Sequence, residues 1–279
     1  MSARAIAERV WPGRVESLQV LGGGITNRNY KVAAGGENYV LRISGAETEQ
    51  LGIDRDVERD ASLAAAELGI GPDVVAFVEP EGCLVTRFIE GEVGRVTIAE
   101  AAELLRRFHA GRPIAGRFDS FRVVEAYATT AVEYGLALPP AYADTLELAR
   151  RIEARRGPVA LRPCHDDLLA ANFINDGERV WIVDWEYAGM GDPAFDLANF
   201  SVNNELDPDG DRALLEAYGG GVDYDTHVLM RFMSDFREAM WGVVQQALSE
   251  LEFDFAAYTE EHFERLRRTA AEPRFRSAL

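Results

Sequence analysis

The chain has 279 residues, 47% of them hydrophobic and 27% charged, with a formal net charge of −18. That length and apolar content suffice to bury a substantial core, as one large domain or two lobes, and exclude wholesale disorder. The acidity excludes nucleic acid and anionic membrane surfaces as partners, because both need clustered Lys and Arg. It leaves room for a nucleotide, which needs only local amides, one or two cations and a metal ion.

In chain order, residues 4–10 read as a short helix ended by Trp11-Pro12-Gly13. From 15 to 43 the pattern is β: ESLQVL, the glycine run Gly22-Gly23-Gly24, NYKVAA, and NYVLRI. Between the last two, Gly35-Gly36 signals a hairpin. Val57, Ala61, Ala64, Ala65 and Leu68 recur at helical spacing, so 54–68 reads as a helix that Gly69 ends. Short strands are expected near 73–78 and 83–88. After Glu90-Gly91 helices dominate: 97–110, 122–136 and 140–155. A β-rich stretch follows over 158–184, then helices near 194–203, 209–218, 225–249 and 254–270. The expected class is α+β, with a sheet-rich lobe over 1–90 and a larger, mostly helical lobe over 91–279.

Cys83 and Cys164 have neither CxxC spacing nor metal-ligand neighbours in sequence, so no disulfide framework is expected and a reducing cytoplasm fits. The start, MSARAIAERVWPGR, lacks the apolar stretch of a signal peptide. No run of about 18 apolar residues exists. The expectation is a soluble, cytoplasmic monomer or homodimer without membrane insertion.

The chemistry concentrates in Cys164-His165-Asp166-Asp167-Leu168-Leu169-Ala170-Ala171-Asn172, followed by Val183-Asp184-Trp185-Glu186. Phosphoryl transfer needs a carboxylate to orient a hydroxyl and accept its proton, and oxygen ligands for Mg²⁺. Asp167 suits the first task, Asn172 and Asp184 the second. His165 would brace the loop. This is the order of a kinase catalytic loop, H-x-D-x-x-x-x-N, with a metal-binding Asp beyond it. The alternative is a set of solvated turn residues.

Upstream residues fall in the same order as kinase parts. Gly23, Gly24, Thr26 and Asn27 form a glycine-rich turn through which amides approach phosphates; alone, such a turn also describes a plain hairpin. Arg42 sits on a strand where kinases place the cation that pairs the α- and β-phosphates. Glu58, beside the apolar face of the 54–68 helix, is its candidate partner. An exposed strand Arg and a surface helix charge are the plain alternatives.

Together these segments resemble the choline/ethanolamine kinase family, within the aminoglycoside-phosphotransferase-like, protein-kinase-like fold. GGGITNRNYKV is similar to its nucleotide loop, YVLRISG to its third strand and DRDVERDASLAAAELGIGP to its C-helix region. CHDDLLAANFI resembles its catalytic motif, and VDWEYAGMGDPAFDLANFSVNNEL its choline-kinase motif. The resemblance implies ATP and Mg²⁺ as cofactors, Asp167 as base, Asn172 and Asp184 as metal ligands, and Glu186 near the metal. It implies a structural role for Asp196, and an adenine-reading hinge over 86–91 that includes Phe88 and Ile89. It implies a small amino alcohol as acceptor, with thiamine, an aminoglycoside or a sugar as alternatives. A nucleotide-binding pseudokinase is the alternative outside catalysis.

The segment from Met240 to Tyr258 also resembles the family, where an aromatic pocket holds an ammonium by cation–π attraction. Trp241 lies about 140° around its helix from Phe236, off the core stripe, so it faces either a ligand or a second core surface. Tyr258 is a second candidate ring, and Trp185, Tyr187 and Phe121 could supply other walls. Where the family has a second Trp this chain carries Glu238. Where it has a pocket acid this chain carries Asn203, with Glu205 two residues on.

Overall fold

The computed structural model describes residues 1–22, 27–45, 48–249 and 251–279. Helix α1 (Ala3–Val10) leads into strands β1 (Val15–Leu21), β2 (Asn27–Ala34) and β3 (Glu37–Ser44). After helix α2 (Arg55–Glu67) come β4 (Val74–Val78) and β5 (Cys83–Arg87). The five strands form one antiparallel sheet in the order β1-β2-β3-β5-β4. The β2–β3 register closes on Ala34 opposite Glu37. Gly35 and Gly36 between them both have positive φ, 62° and 82°, which is what a two-residue hairpin with the right strand twist demands. Ile6, Ala7 and Trp11 of the N-terminal segment pack on Val32, Leu41 and Val85 of the sheet.

The rest is mostly helical: β6 (Glu92–Val93), α3 (Ile98–His109), α4 (Ser120–Glu133), α5 (Tyr142–Arg156), β7 (Arg162–Cys164), β8 (Phe173–Asn175), β9 (Val180–Ile182), β10 (Gly189–Gly191), α6 (Pro193–Asn203), α7 (Pro208–Tyr218), α8 (Tyr224–Leu248), α9 (Phe255–Ala271) and α10 (Pro273–Ala278). Two cores organise it. In one, Ala61, Ala64 and Ala65 of α2 meet Leu105 and Phe108 of α3, together with Phe173, Ile182 and Trp185. The Ile182 amide also donates to the Ile70 carbonyl at 2.7 Å. The small alanine face of α2 thus lets the sheet-bearing half sit directly on the segment that carries the catalytic motif. In the other core, α8 is buried on all sides between α4, α6 and α9, through Phe232, Phe236, Met240 and Val244.

Three short elements escape sequence reading. Strands β6 and β10 are two and three residues long, too short to carry a period of two. Helix α10 is six residues behind Pro273. Helix α4 starts at Ser120, ahead of the expected 122, because the Asp119 carboxylate caps the amides of Phe121 and Arg122 at 3.1 and 3.3 Å.

Candidate active site

Asp196, buried on α6, accepts three hydrogen bonds. They come from the amides of His165 (2.9 Å) and Asp166 (2.7 Å) and from His109 Nε2 (2.9 Å). Burial alone would raise its pKa, but the hydrogen bonds from His109 and from the His165 amide hold it below the usual carboxylate value. Asn199, one turn on, accepts the Leu168 amide at 2.6 Å. One face of α6 therefore fixes the backbone of residues 165–168. That grip forces Asp166 to φ 65°, a left-handed conformation that Asp tolerates better than most residues.

His165 is fully buried. Its Nδ1 accepts the Asp167 amide at 3.2 Å, which leaves Nε2 to donate to the Val183 carbonyl at 3.0 Å. The ring is the neutral tautomer, and burial lowers its pKa further. Asn172 Nδ2 donates to the Asp167 carbonyl at 2.8 Å, and the Asn172 carbonyl accepts the Val183 amide at 2.9 Å. Asp167, Asn172 and the approach to Asp184 are thus tied into one unit. Asp184 itself has φ 70°.

Across a cavity of about 420 Å³, Leu21, Gly22, Val40 and Leu84 of the sheet face Ile174, Val183 and Asp184. Phe88 and Ile89 line its edge. The Phe88 amide is fixed to the Asn38 carbonyl at 3.1 Å, and Lys31 Nζ lies 3.8 Å from the Phe88 ring centre. Inside, Arg42 is buried and bonded to both Glu58 and Asp184. Asn27 Nδ2 donates to Glu186 Oε2 at 2.7 Å, and Arg55 Nη1 reaches the same oxygen at 3.3 Å.

On the far side of Asp167 lies a second set of groups. Arg237 Nη1 donates to Asp167 Oδ1 at 3.0 Å and to Glu238 Oε1 at 2.6 Å. The guanidinium carbon lies 4.4 Å from the Tyr187 ring centre. Tyr258 OH donates to Glu238 Oε2 at 2.8 Å, and Trp241 Nε1 donates to Tyr187 OH at 3.0 Å. The rings of Phe255 and Tyr258 each meet Trp241 edge-on at 5.8 Å. Burial, with Glu238 and Asp184 nearby, pushes the Asp167 carboxyl up to about 7 against the pull of Arg237.

The donor set suits Mg²⁺. Asp184 offers a carboxylate that is partly open, its side chain 25% exposed. Asn172, with its NH₂ committed to Asp167, has an amide oxygen as its remaining polar atom. Hard oxygen ligands of this kind are what Mg²⁺ takes, with water and phosphate filling the other positions.

Comparison with known proteins decides the family. The model of the phosphotransferase enzyme family matches residues 17–232. A solved choline/ethanolamine kinase family protein from Mesorhizobium loti is 32% identical and superposes with a TM-score of 0.82, covering 99% of this chain and 96% of that one. The chain belongs to the phosphotransferase enzyme family, in its choline/ethanolamine kinase branch. Protein LicA of Haemophilus influenzae is 28% identical over 70% of this chain and 61% of its own length. This chain therefore spans less than two thirds of that relative. Ethanolamine kinase 1 of Mus musculus is 26% identical over 91% of this chain and 84% of its own length. Choline kinase LicA of Streptococcus pneumoniae shares the fold, with a TM-score of 0.83 at 24% identity, covering 96% of this chain and 98% of that one.

Of the expected site residues, Arg42, Phe88, Ile89, Asn172 and Asp184 line the cavity; Glu58 is bonded to Arg42, Asn27 and Glu186 to each other, and His165 and Asp167 lie on the loop bonded to Asn172. Gly23, Gly24 and Thr26 lie outside the described residues. Three of the residues expected at the acceptor end lie apart from the cluster around Arg237. The Trp185 ring packs on Phe108 and His165 with centroids 4.5 and 4.6 Å away, donates to the Ile182 carbonyl and borders the 420 Å³ cavity. Glu205 is solvent-exposed beyond the end of α6 and Asn203 is half-buried there. Glu238 is the acid bonded within the cluster.

Sequence reading missed Arg237, and it offered Tyr187 as a possible wall without its contact to Arg237. A signal was present. Arg237-Glu238 interrupts an apolar helix face between Phe236 and Ala239, and adjacent charges are buried only when they are paired.

Proposed function

We propose that the chain transfers the γ-phosphoryl group of ATP to the hydroxyl of a small amino alcohol such as choline or ethanolamine. The observation that carries this reading is the position of Asp167. Its loop is tied through Asn172 to the cavity under the sheet on one side, and its carboxylate is bonded on the other to Arg237, within a buried cluster of Glu238, Tyr187, Trp241 and Tyr258. Asp167 accepts the hydroxyl proton as the acceptor oxygen bonds to the γ-phosphorus and the bond to ADP breaks. The products are a phosphomonoester and ADP. Asn172 and Asp184 would hold Mg²⁺, which neutralises phosphate charge when bound. Arg42, fixed by Glu58, pairs with the phosphates, and Phe88 and Ile89 flank the adenine. In this reading residues 1–90 serve the nucleotide and 91–279 serve catalysis and the acceptor.

The test is ADP release coupled to NADH oxidation, with choline, ethanolamine, thiamine, an aminoglycoside and simple sugars offered in turn, with Mg²⁺ and with EDTA. Metal-dependent release with an amino alcohol is expected. Release only with sugars or aminoglycosides would move the acceptor class, and no nucleotide binding at all would end the reading.

A further inference from the structure

Behind Arg42 stands a second arginine. Arg55, the first residue of α2, donates from Nη1 to Glu58 Oε2 at 2.6 Å and reaches Glu186 Oε2 at 3.3 Å. Its Nη2 donates to Asn27 Oδ1 at 3.1 Å, and Asn27 Nδ2 in turn donates to Glu186 Oε2 at 2.7 Å. The other oxygen of Glu58 is bonded to Arg42, and Arg42 to Asp184. The start of β2, strand β3, helix α2 and the loop from Asp184 to Glu186 thus close into one circuit of two arginines and three carboxylates. Helix stability does not account for Arg55. A positive charge in the first turn opposes the helix dipole, and a cation ahead of an acid along a helix is the weaker order of such a pair.

Glu58 and Glu186 are almost fully buried, 1% and 4% exposed, and a buried carboxylate is costly unless it is paired. That constrains the reaction. To pair with the phosphates, Arg42 has to give up part of its bonding to Glu58 and Asp184. Asp184 is partly open to water, but Glu58 has no solvent to turn to. Held by Arg42 alone, Glu58 would compete with the triphosphate for the same guanidinium. Resting on the phosphoryl-transfer reading above, we propose that Arg55 is the positioning residue that releases Arg42 to the triphosphate. It neutralises Glu58 and Glu186 while Arg42 is engaged elsewhere. Through Asn27, just past the glycine run in sequence, it also keeps the start of β2 in register with the loop that carries Asp184. A planar fork that serves two carboxylates and an amide oxygen at once suits Arg rather than Lys.

Calorimetric titration with ATP, together with initial rates on both substrates, reads this role. Arg55→Gln should weaken ATP binding and raise the ATP KM about tenfold, with the acceptor KM changed about twofold or less, because groups in one charge network couple over that range. Arg55→Lys keeps the charge but not the fork and should recover part of the loss. The deciding comparison is made in a Glu58→Gln background, where the competing carboxylate is gone. There the added Arg55→Gln change should cost ATP affinity about threefold or less. Arg55 borders an open cleft of about 1040 Å³, so water can take the place of the shorter side chain, and the melting temperature reports whether each variant is folded. Should Arg55→Gln not fold by itself, Arg55→Lys carries the same comparison between the two backgrounds. Unchanged ATP affinity in the folded Arg55→Gln protein would overturn the proposal. So would the same loss in both backgrounds, or an equal loss on ATP and acceptor, the mark of a purely structural role. In each of these cases a wild-type protein that binds and turns over ATP leaves the transfer reading standing. A wild-type protein that binds no nucleotide ends both.

Discussion

Arg42 Nη2 and Asp184 Oδ1 lie 2.5 Å apart, joining a strand of the sheet to the loop beyond β9, while Glu58 of α2 holds the same guanidinium. Three elements distant in sequence converge on one cation. Burial disfavours that charge, but Asp184, Glu58 and Glu186 more than offset it, so Arg42 stays ionised at any working pH. In the proposed mechanism the triphosphate exchanges with part of this pairing. Arg42→Ala should therefore lower kcat/KM for ATP by roughly 10²-fold, with a much smaller change in the acceptor KM. Arg42→Lys should recover part of it. Initial-rate kinetics with each substrate varied in turn measure the split, and equal effects on both substrates would assign Arg42 a structural role.

Asp167→Asn keeps the shape of the side chain and removes the proton acceptor. Turnover should fall by about 10²–10⁴-fold. The backbone grip on the loop comes from Asp196, Asn199, His165 and Asn172, so ATP affinity by titration should change little. Unchanged turnover would remove Asp167 from the role of base.

The raised pKa of Asp167 has a visible consequence. The carboxylate must be ionised to accept a proton, and its pKa sits at about 7, so kcat/KM should climb through neutrality rather than near pH 4. Arg237 opposes that rise. Removing it in Arg237→Gln should move the acidic limb to higher pH, whereas Glu238→Gln, which removes a neighbouring negative charge, should move it lower. For stability the sign runs the other way. A carboxyl whose folded pKa is raised contributes stability below its ordinary value, and that contribution is lost as pH rises to about 7. A pH–rate profile with its limb near pH 4 in all three proteins would refute the assignment.

Trp241 is packed in the core and, in the proposed reading, also faces the acceptor. It is 8% exposed and meets Phe255 and Tyr258 edge-on, yet its indole nitrogen is spent on Tyr187 OH beside Arg237. Trp241→Ala should cost about 3–5 kcal/mol of stability, the usual range for a buried Trp truncation. It should also raise the acceptor KM about tenfold through loss of the ring. Trp241→Phe, which keeps most of the volume, separates the two. If the acceptor KM in that variant moves no more than the ATP KM, the ring only packs.

Much of this was legible before any coordinates. Gly35-Gly36 fixed a hairpin, the alanine spacing of α2 fixed its buried face, and the run from Cys164 to Glu186 placed three oxygen-bearing side chains at kinase spacing. The cluster around Arg237 was legible only in outline. Trp241 stood out because it lies off the apolar stripe, but Trp185 read as an available ring when it is locked under Phe108. Periodicity reports that a side chain is buried, not against what. Arg237 and Tyr187 meet across 50 residues of sequence, and no local pattern joins them. Glu238 stood where an aromatic was expected, and its partner Tyr258 lies a further 20 residues on.

The last prediction concerns Asp196, which touches no part of the substrate pockets yet fixes the backbone on which Asp167 rides. Asp196→Asn leaves one oxygen where two accepted, so one of the amides of His165 and Asp166, or His109, faces an NH₂ group and loses its partner in a fully buried setting. A stranded buried donor costs about 1–3 kcal/mol, and urea denaturation at neutral pH should show a loss of that order, with reduced kcat from a loosened loop. The pH dependence identifies the cause. Asp196 is held below the usual carboxylate pKa, so its charge stabilises the fold above the ordinary value, and this stabilisation fades as pH falls through the lowered one. The stability gap between wild type and Asp196→Asn should accordingly shrink in acid. A gap that stays constant from pH 7 to the acid transition would mean that shape, not the ionised carboxylate, holds the loop.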